Sequence, residues 1–326
     1  MKPKVFVTRR IPEPGLDMLR EKCDIEVNPE DRVLTKEEII EGIKGKDALL
    51  CLLTDPIDGE IMDANLDLKV ISNYAVGFNN IDVDAATERG IPVTNTPGVL
   101  TDTTADFAWS LLMSTARRVA EGDKFTRAGK YKGWGPMLLL GCDVYGKTLG
   151  IIGLGRIGQA VAKRASGFDM RVVYFDEYRL SEEKEKELGV EYMAFEEVLK
   201  VANFVSIHVP LMDSTFHLFS TAEFDAMKDN AILINTSRGP VVDEKALVEA
   251  LKAKKIAGAG LDVYEDEPLL APGLAELDNA VLAPHIASAT VETRTKMATM
   301  AAANVLAALE GKVPPNIVNK EVYDKK

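Results

Sequence analysis

The stretch Leu149-Gly-Ile-Ile-Gly-Leu-Gly-Arg-Ile-Gly158 decides how this chain folds. An apolar run rich in β-branched residues meets three glycines at positions 153, 155 and 158, and an apolar-faced helical pattern follows. The order strand, tight turn, helix gives each glycine a task. Gly153 permits the turn, Gly155 lets a ligand's pyrophosphate approach the backbone, and Gly158 lets the helix pack closely on the strand. The helix then begins with unpaired N–H groups and a partial positive charge directed at the anion. Arg156 adds a charge-assisted contact, and Ile157 lies within the same loop. Asp176 ends the next strand, 18 residues beyond Gly158, near the spacing of an acidic residue on the adenosine ribose. Its carboxylate accepts from the 2′- and 3′-hydroxyls and repels a 2′-phosphate, as does neighbouring Glu177, which favours NAD over NADP. Tyr178-Arg179 pulls the other way. The competing reading is a packing turn followed by a surface aspartate.

Outward from this loop, short apolar runs alternate with helical patterns, which is the sequence form of β-α-β units around a parallel sheet. The spacing predicts strands over 5–8, 47–53, 69–73 and 91–94, then over 147–152, 171–175, 204–208, 231–235 and 256–261, with a short segment at 281–282. Helices are expected over 157–167, 194–200 and 244–252. Thr96-Pro97-Gly98 breaks the pattern and marks a hinge, after which Thr101-Asp102 caps a helix running to about 120. A last helix over 291–310 returns to the first series. The expected fold is α/β, with two Rossmann-like doubly wound parallel-sheet domains and the nucleotide-binding domain (100–287) inserted into a first domain made of 1–99 and 288–326.

Composition narrows the partners. The 326 residues carry 39 basic and 51 acidic side chains, and the net charge of −12 repels nucleic acid and anionic lipid. No uncharged run approaches the ~18 residues of a membrane helix, and the N-terminal residues lack the form of a signal peptide. Cys23, Cys51 and Cys142 are odd in number and without metal-ligand spacing, which suits a reducing compartment, the cytoplasm by default.

Ligands in open α/β sheets sit at the carboxyl ends of the strands. Three polar residues stand there: Arg238 after residues 232–237, Glu267 five residues past Asp262, and His285 after Val281-Leu-Ala-Pro284. Reduction of a keto acid needs these types: a forked cation for carboxylate and carbonyl oxygen, a proton donor near neutrality, and an anion to hold that donor in its charged form. Each also has a bland reading, as a solvated loop charge, a solvated acidic turn and a core histidine respectively. His208, at a strand end beside Val209-Pro210, is placed along the cofactor. His217 has no clear partner, and no metal triad is suggested.

Across nearly its whole length the chain resembles the D-isomer-specific 2-hydroxyacid dehydrogenases, in particular their glyoxylate and hydroxypyruvate reductase branch. The resemblance is carried by Asn73-Tyr-Ala-Val-Gly-Phe-Asn-Asn80, Asn95-Thr-Pro-Gly98, Gly150-Ile-Ile-Gly-Leu-Gly-Arg-Ile-Gly158, Asn235-Thr-Ser-Arg-Gly-Pro240, Ala259-Gly-Leu-Asp-Val263 through Glu267-Pro268, and Pro284-His285. It implies that Arg238 binds the substrate carboxylate and polarises the keto oxygen, that His285 donates the proton, and that Glu267 pairs with His285. A Glu rather than a Gln at 267 sets the chain apart from the related formate dehydrogenases. The resemblance further assigns the backbone N–H groups of Val76 and Gly77 to the substrate carboxylate and Asp262 to the nicotinamide side of the cofactor. Thr104, Val209, Pro210, Thr215, Thr236 and Ser237 complete the cofactor lining. Leu53 resembles a pocket residue of the substrate domain, although a leucine at a strand end also reads as core. Trp134 matches a tryptophan that reaches toward the partner subunit's site, and the family resemblance implies a homodimer. The expected activity is NAD(H)-dependent reduction of glyoxylate or hydroxypyruvate, with D-lactate dehydrogenase as the alternative and a non-catalytic NAD-sensing scaffold as the alternative of another class.

Overall fold

The computed structural model describes residues 2–324. The chain divides into two compact units, Met1–Leu100 with Ala289–Lys326, and Thr101–Ser288. The second unit is inserted in sequence between the two parts of the first. The first unit contains β1 (Lys4–Val7), β2 (Asp24–Val27), β3 (Ala48–Cys51), β4 (Val70–Asn73) and β5 (Val93–Thr94), in the order β2-β1-β3-β4-β5. All neighbours are parallel. The second unit contains β6 (Thr148–Ile152), β7 (Arg171–Phe175), β8 (Val190–Tyr192), β9 (Phe204–Ile207), β10 (Ile232–Asn235), β11 (Gly258–Leu261) and β12 (Ala280–Leu282). Its order is β12-β11-β10-β9-β6-β7-β8, again all parallel, the doubly wound arrangement whose strand order reverses beside β6.

Each sheet is buried on both faces, as parallel sheets require. In the first unit one core holds Val5, Val7, Leu50 and Val70 against the helices Glu13–Lys22 and Val291–Leu309, and the other holds Phe6, Leu49, Ile71 and Val93. The C-terminal helix is thereby part of the first unit's core. Gly15 lets it approach, since a Cβ there would stand 2.7 Å from the Ala298 backbone and Cβ.

Two strands lie outside the expected set, β2 and β8. Both are sheet edges, and in Asp24-Ile-Glu-Val27 and Val190-Glu-Tyr192 charge interrupts the apolar run. Their edge positions allow that polarity. The helix expected to run to about 120 instead ends at Ala116, and a separate helix, Val119–Arg127, follows Arg118 in the left-handed region at φ 53°. Its terminal carbonyl has a tertiary partner: Cys142 N–H donates to Ala116 O at 2.9 Å, with Gly141 packed so closely that a Cβ would collide with that oxygen. Arg118 then turns its guanidinium onto Glu121 at 2.7 and 2.8 Å.

Among the described residues no helix is long and apolar enough to cross a membrane, and no group of three or more His, Cys, Asp or Glu side chains is arranged to hold a metal ion.

Candidate active site

The glycine loop sits at the carboxyl end of β6. Gly153 takes φ 92°, and a Cβ on it would lie 2.8 and 2.9 Å from the His208 carbonyl carbon and oxygen, so both conformation and space demand glycine. A Cβ at Gly158 would strike the Gly153 carbonyl oxygen, which shows how tightly the helix Arg156–Ala165 lies on the turn. Gly155 differs. Nothing stands within 4 Å of the position its Cβ would take, and Gly155 and Arg156 are exposed while Ile157 is half-buried. Two crowded glycines beside one open to solvent, at a helix N-terminus, is the cradle that a dinucleotide pyrophosphate fits.

Asp176, just past β7, accepts from Leu154 N–H at 2.6 Å through Oδ2 and from Tyr178 N–H at 2.9 Å through Oδ1. Its carboxylate thus ties the glycine turn to the strand beside it, and each oxygen retains lone-pair capacity for a further donor. The Arg179 guanidinium is committed elsewhere, to Glu185 at 2.8 and 3.0 Å and over the Tyr192 ring at 5.1 Å.

His208 follows β9. Its N–H donates to Ile152 O at 2.7 Å, its Nε2 lies 2.8 Å from Ser206 Oγ, and its buried Nδ1 has no hydrogen-bond partner among the described residues. Burial pushes its pKa down to about 4. The loop beyond contains Val209, half-buried, and Pro210, exposed, and is closed by Thr215, whose hydroxyl donates to Pro210 O at 2.6 Å and accepts from Met212 N–H at 2.8 Å. Thr215 therefore uses its polar atom to build the loop. Thr104 is buried in the helix Thr101–Ala116, and Thr236 is buried with an Oγ1 that lacks a partner among the described residues.

Arg238, Glu267 and His285 are brought into one neighbourhood of the second unit. Asn235, the last residue of β10, organises the turn that carries Arg238: its Oδ1 accepts from both N–H and hydroxyl of Ser237 at 3.0 and 2.9 Å, and its Nδ2 donates to Arg238 O at 2.9 Å. The Arg238 side chain donates to Ser237 O at 2.8 Å, and burial lowers its pKa against the opposing charge of Glu267. His285 Nδ1 lies 2.9 Å from Glu267 Oε2, and Glu267 Oε1 accepts from Tyr264 N–H at 3.1 Å. Burial raises the Glu267 pKa, but the His285 contact, the Tyr264 amide and the Arg238 charge together outweigh it and hold the carboxyl below its ordinary value. It is therefore ionised at neutral pH.

His285 itself stands in the left-handed region at φ 54°, a costly conformation for a non-glycine residue. Asp262 holds it there. Its backbone oxygen accepts from His285 N–H at 2.9 Å, and its fully buried carboxylate accepts from Ile286 N–H at 2.7 Å and Ala287 N–H at 2.8 Å. Burial pushes the Asp262 pKa up while these amides and the His285 charge pull it down. Asn235 and Asp262 thus act on the turns bearing Arg238 and His285. Sequence reasoning assigns no role to Asn235 and a different one to Asp262; the available signal is a short polar side chain at a strand end, the residue type that bonds backbone two positions ahead.

Val76 and Gly77 lie in the first unit, in the loop after β4, half-buried. Leu53, beyond β3, is also half-buried and belongs to neither apolar core of that unit, whereas adjacent Leu52 packs on one. Trp134 is 83% exposed.

Residues 109–287 match the family described as D-isomer specific 2-hydroxyacid dehydrogenase, NAD binding domain. The chain belongs to that family. It is 56% identical over 324 residues to a glyoxylate reductase of Korarchaeum cryptofilum (strain OPF8), covering 99% of this chain and 97% of the relative. A solved structure of a protein from Thermus thermophilus is 48% identical with a TM-score of 0.92, covering 97% of this chain and 99% of that one. An NADPH-dependent glyoxylate/hydroxypyruvate reductase from Sinorhizobium meliloti, solved in complex with NADP and malonate, is 31% identical with a TM-score of 0.86 and 98% coverage of both chains. This 2-hydroxyacid dehydrogenase is thus an oxidoreductase with a nicotinamide cofactor.

The His208 shift has a measurable consequence. Its ring should stay neutral as pH falls through ~6.5, where an unfolded histidine takes its proton, and should titrate only near 4. Because the unfolded chain then binds the extra proton, His208 lowers the stability of the fold progressively as pH drops below ~6.5 and has no such effect above it. Imidazole NMR of the free enzyme tests this; an ordinary midpoint for His208 would refute it.

Proposed function

We propose that this dehydrogenase reduces glyoxylate, or the related hydroxypyruvate, to the corresponding 2-hydroxy acid with NADH, using Arg238, Glu267 and His285 as its catalytic residues. The observation that carries this reading is the His285 Nδ1–Glu267 contact at 2.9 Å beside the half-buried Arg238. Its substrate choice is supported by the high identity to proteins named glyoxylate reductase. The bound nicotinamide supplies the hydride. The remaining work falls to the chain. Arg238 presents a planar fork that fits a carboxylate and an adjacent carbonyl oxygen, and its charge stabilises the negative charge that develops on that oxygen. Glu267, held ionised, occupies Nδ1 of His285 and so leaves Nε2 to deliver the proton to the alkoxide. The Val76 and Gly77 N–H groups take the substrate carboxylate, and Leu53 borders the substrate. Replacing His285 with Ala should lower kcat for glyoxylate by about 10²–10⁴-fold while NADH binding, read by fluorescence titration, stays near wild type. Retained turnover would refute the role, and absence of turnover by the wild-type enzyme on glyoxylate and hydroxypyruvate would refute the activity.

NADH rather than NADPH is favoured by the ionisable pair Asp176 and Glu177 at the end of β7, and by the commitment of Arg179 to Glu185 and Tyr192. A 2′-phosphate there meets negative charge and no uncommitted guanidinium from that loop. Asp176→Ser should raise the ratio of kcat/KM for NADPH over NADH by about tenfold or more, given like-charge repulsion of ~1–4 kcal/mol at such range. An unchanged ratio would remove Asp176 as the discriminator.

The active form is read as a homodimer built on the second unit. Val119, Tyr131, Trp134, Met137 and Leu140 are each more than half exposed, an apolar set that suits a second copy of the chain. Sedimentation equilibrium should return about twice the 35.6 kDa chain mass; a monomer would overturn the assembly, together with the placing of Trp134 against a partner's substrate pocket.

A further inference from the structure

Three consecutive carbonyls in the loop after β4 are each held by a donor. Ala75 O accepts from Thr96 N–H at 2.8 Å, Val76 O from Asn95 Nδ2 at 2.7 Å, and Gly77 O from Asn73 Nδ2 at 2.9 Å. These peptides are trans, so each C=O points opposite to the N–H of the following residue. Fixing the Ala75 and Val76 carbonyls toward residues 95 and 96 therefore turns the N–H groups of Val76 and Gly77 away from the end of β5. Fixing Gly77 O does the same for Phe78 N–H relative to β4. Among the described residues none of these three N–H groups donates to a protein acceptor.

The holding groups are themselves held. Asn73 is fully buried and its Nδ2 also donates to Asn80 Oδ1 at 3.0 Å, while Asn80 Nδ2 donates to Leu52 O and Asp55 O at 3.1 and 3.0 Å. Asn95 is fixed through its backbone. Its carbonyl accepts from Asn304 Nδ2 at 3.0 Å, and its N–H donates to Asn316 O at 3.2 Å. Asn304, fully buried on the helix Val291–Leu309, accepts from Asn316 N–H and Nδ2 at 3.3 and 3.1 Å.

We propose that Asn95 and Asn73 are positioning residues for substrate: with the Ala75 carbonyl already held by Thr96 N–H, they lock the peptides on either side of Gly77, so that the Val76 and Gly77 N–H groups are presented as a ready-made fork for the carboxylate of the 2-keto acid, with Asn304 transmitting the rigidity of the C-terminal helix to Asn95. This rests on the reading that the Val76 and Gly77 amides bind that carboxylate. A donor set assembled before binding costs no reorganisation when substrate arrives, so its loss acts on substrate affinity and leaves the cofactor site alone.

The test uses the full chain loaded with NADH, glyoxylate as substrate and oxalate as a non-reducible probe. Asn95→Ala should raise KM for glyoxylate and Ki for oxalate together, by roughly tenfold, with kcat at saturation within about twofold and the Kd for NADH unchanged. Asn95→Asp keeps the volume but cannot donate to Val76 O, and should show the same split; it serves also where the alanine variant fails to fold. Asn304→Ala should give a smaller effect of the same kind. A structural role alone would lower Tm and leave Ki for oxalate where it was, and that result in both Asn95 variants overturns the inference. In wild-type enzyme labelled with ¹⁵N-glycine, the Gly77 amide resonance, assigned by its loss in Gly77→Ala, should shift on adding oxalate. Absence of that shift would overturn the carboxylate reading and this inference with it. A shift in the wild type combined with unaltered oxalate binding by the Asn95 variants would overturn the positioning role alone.

Discussion

Asp262 is the constraint on which the His285 end of the candidate site depends. Its carboxylate is fully buried, and a buried carboxylate is tolerable only where donors replace water. Ile286 and Ala287 supply two amides, and the Asp262 carbonyl takes a third from His285. The three bonds over-determine the 285–287 turn and hold His285 in a left-handed conformation it would not adopt unaided. The bonds exist because of sheet register. β11 and β12 pair with Leu261 opposite Leu282, and Ala283 N–H donates to Leu261 O at 2.8 Å, so the residue just past β11 falls beside the residues just past β12. Glu267 then returns to His285 through a turn fixed by Tyr264, whose N–H reaches Glu267 and whose hydroxyl reaches Ala283 O at 2.8 Å.

The electrostatics follow from that packing. Asp262 is buried, Arg238 half-buried and Glu267 more open to solvent, and each charge is compensated by a different device: Arg238 by a carbonyl and the field of Glu267, Asp262 by backbone amides, Glu267 by His285 and Tyr264. A guanidinium carries five N–H donors in one plane, and one of those on Arg238 is given to the Ser237 carbonyl of its own loop. Against a net charge of −12, Arg238 is a local positive charge of opposite sign to the field of the whole molecule.

Legibility in the sequence divides along physical lines. Central parallel strands are continuous apolar runs, and β1, β3, β4, β6, β7, β9, β10 and β11 could each be read from that pattern. The edges β2 and β8 could not, because one side of an edge faces solvent and its sequence mixes charge with apolar residues. The glycine loop was legible because Gly153 and Gly158 answer to local conformation and contact. The break at Arg118 was not, because it is set by Cys142 and Gly141 arriving from more than twenty residues away. Among site residues, Arg238, Glu267 and His285 stood out as reactive types at strand ends. Asn235, Asn73 and Asn95 did not, since a polar amide in a loop carries no reactive signature and its partners are backbone atoms that a sequence does not display.

Those asparagines point to a device used in both units. At or just past the carboxyl ends of six strands stands a short Asn or Asp: Asn28 after β2, Asn73 closing β4, Asn95 after β5, Asp176 after β7, Asn235 closing β10 and Asp262 after β11. Each bonds the backbone of a turn. Asn28 accepts from Glu30 N–H and donates to Thr8 O, and Asp176 joins Leu154 to Tyr178, in the same manner as the four already described. The reason lies in reach and geometry. A one-carbon stem places an amide or carboxylate within range of N–H groups two residues ahead and of the neighbouring strand's loop, and it loses little rotamer entropy in doing so. A parallel sheet gathers all such ends on one edge, where the backbone leaves its ladder and its polar groups need new partners. The demand for hydrogen bonds that the fold creates at that edge is therefore met by residues that also stiffen it, and the loops bearing Gly153, Arg238, His285 and Gly77 are rigid for a reason of backbone chemistry before any substrate arrives.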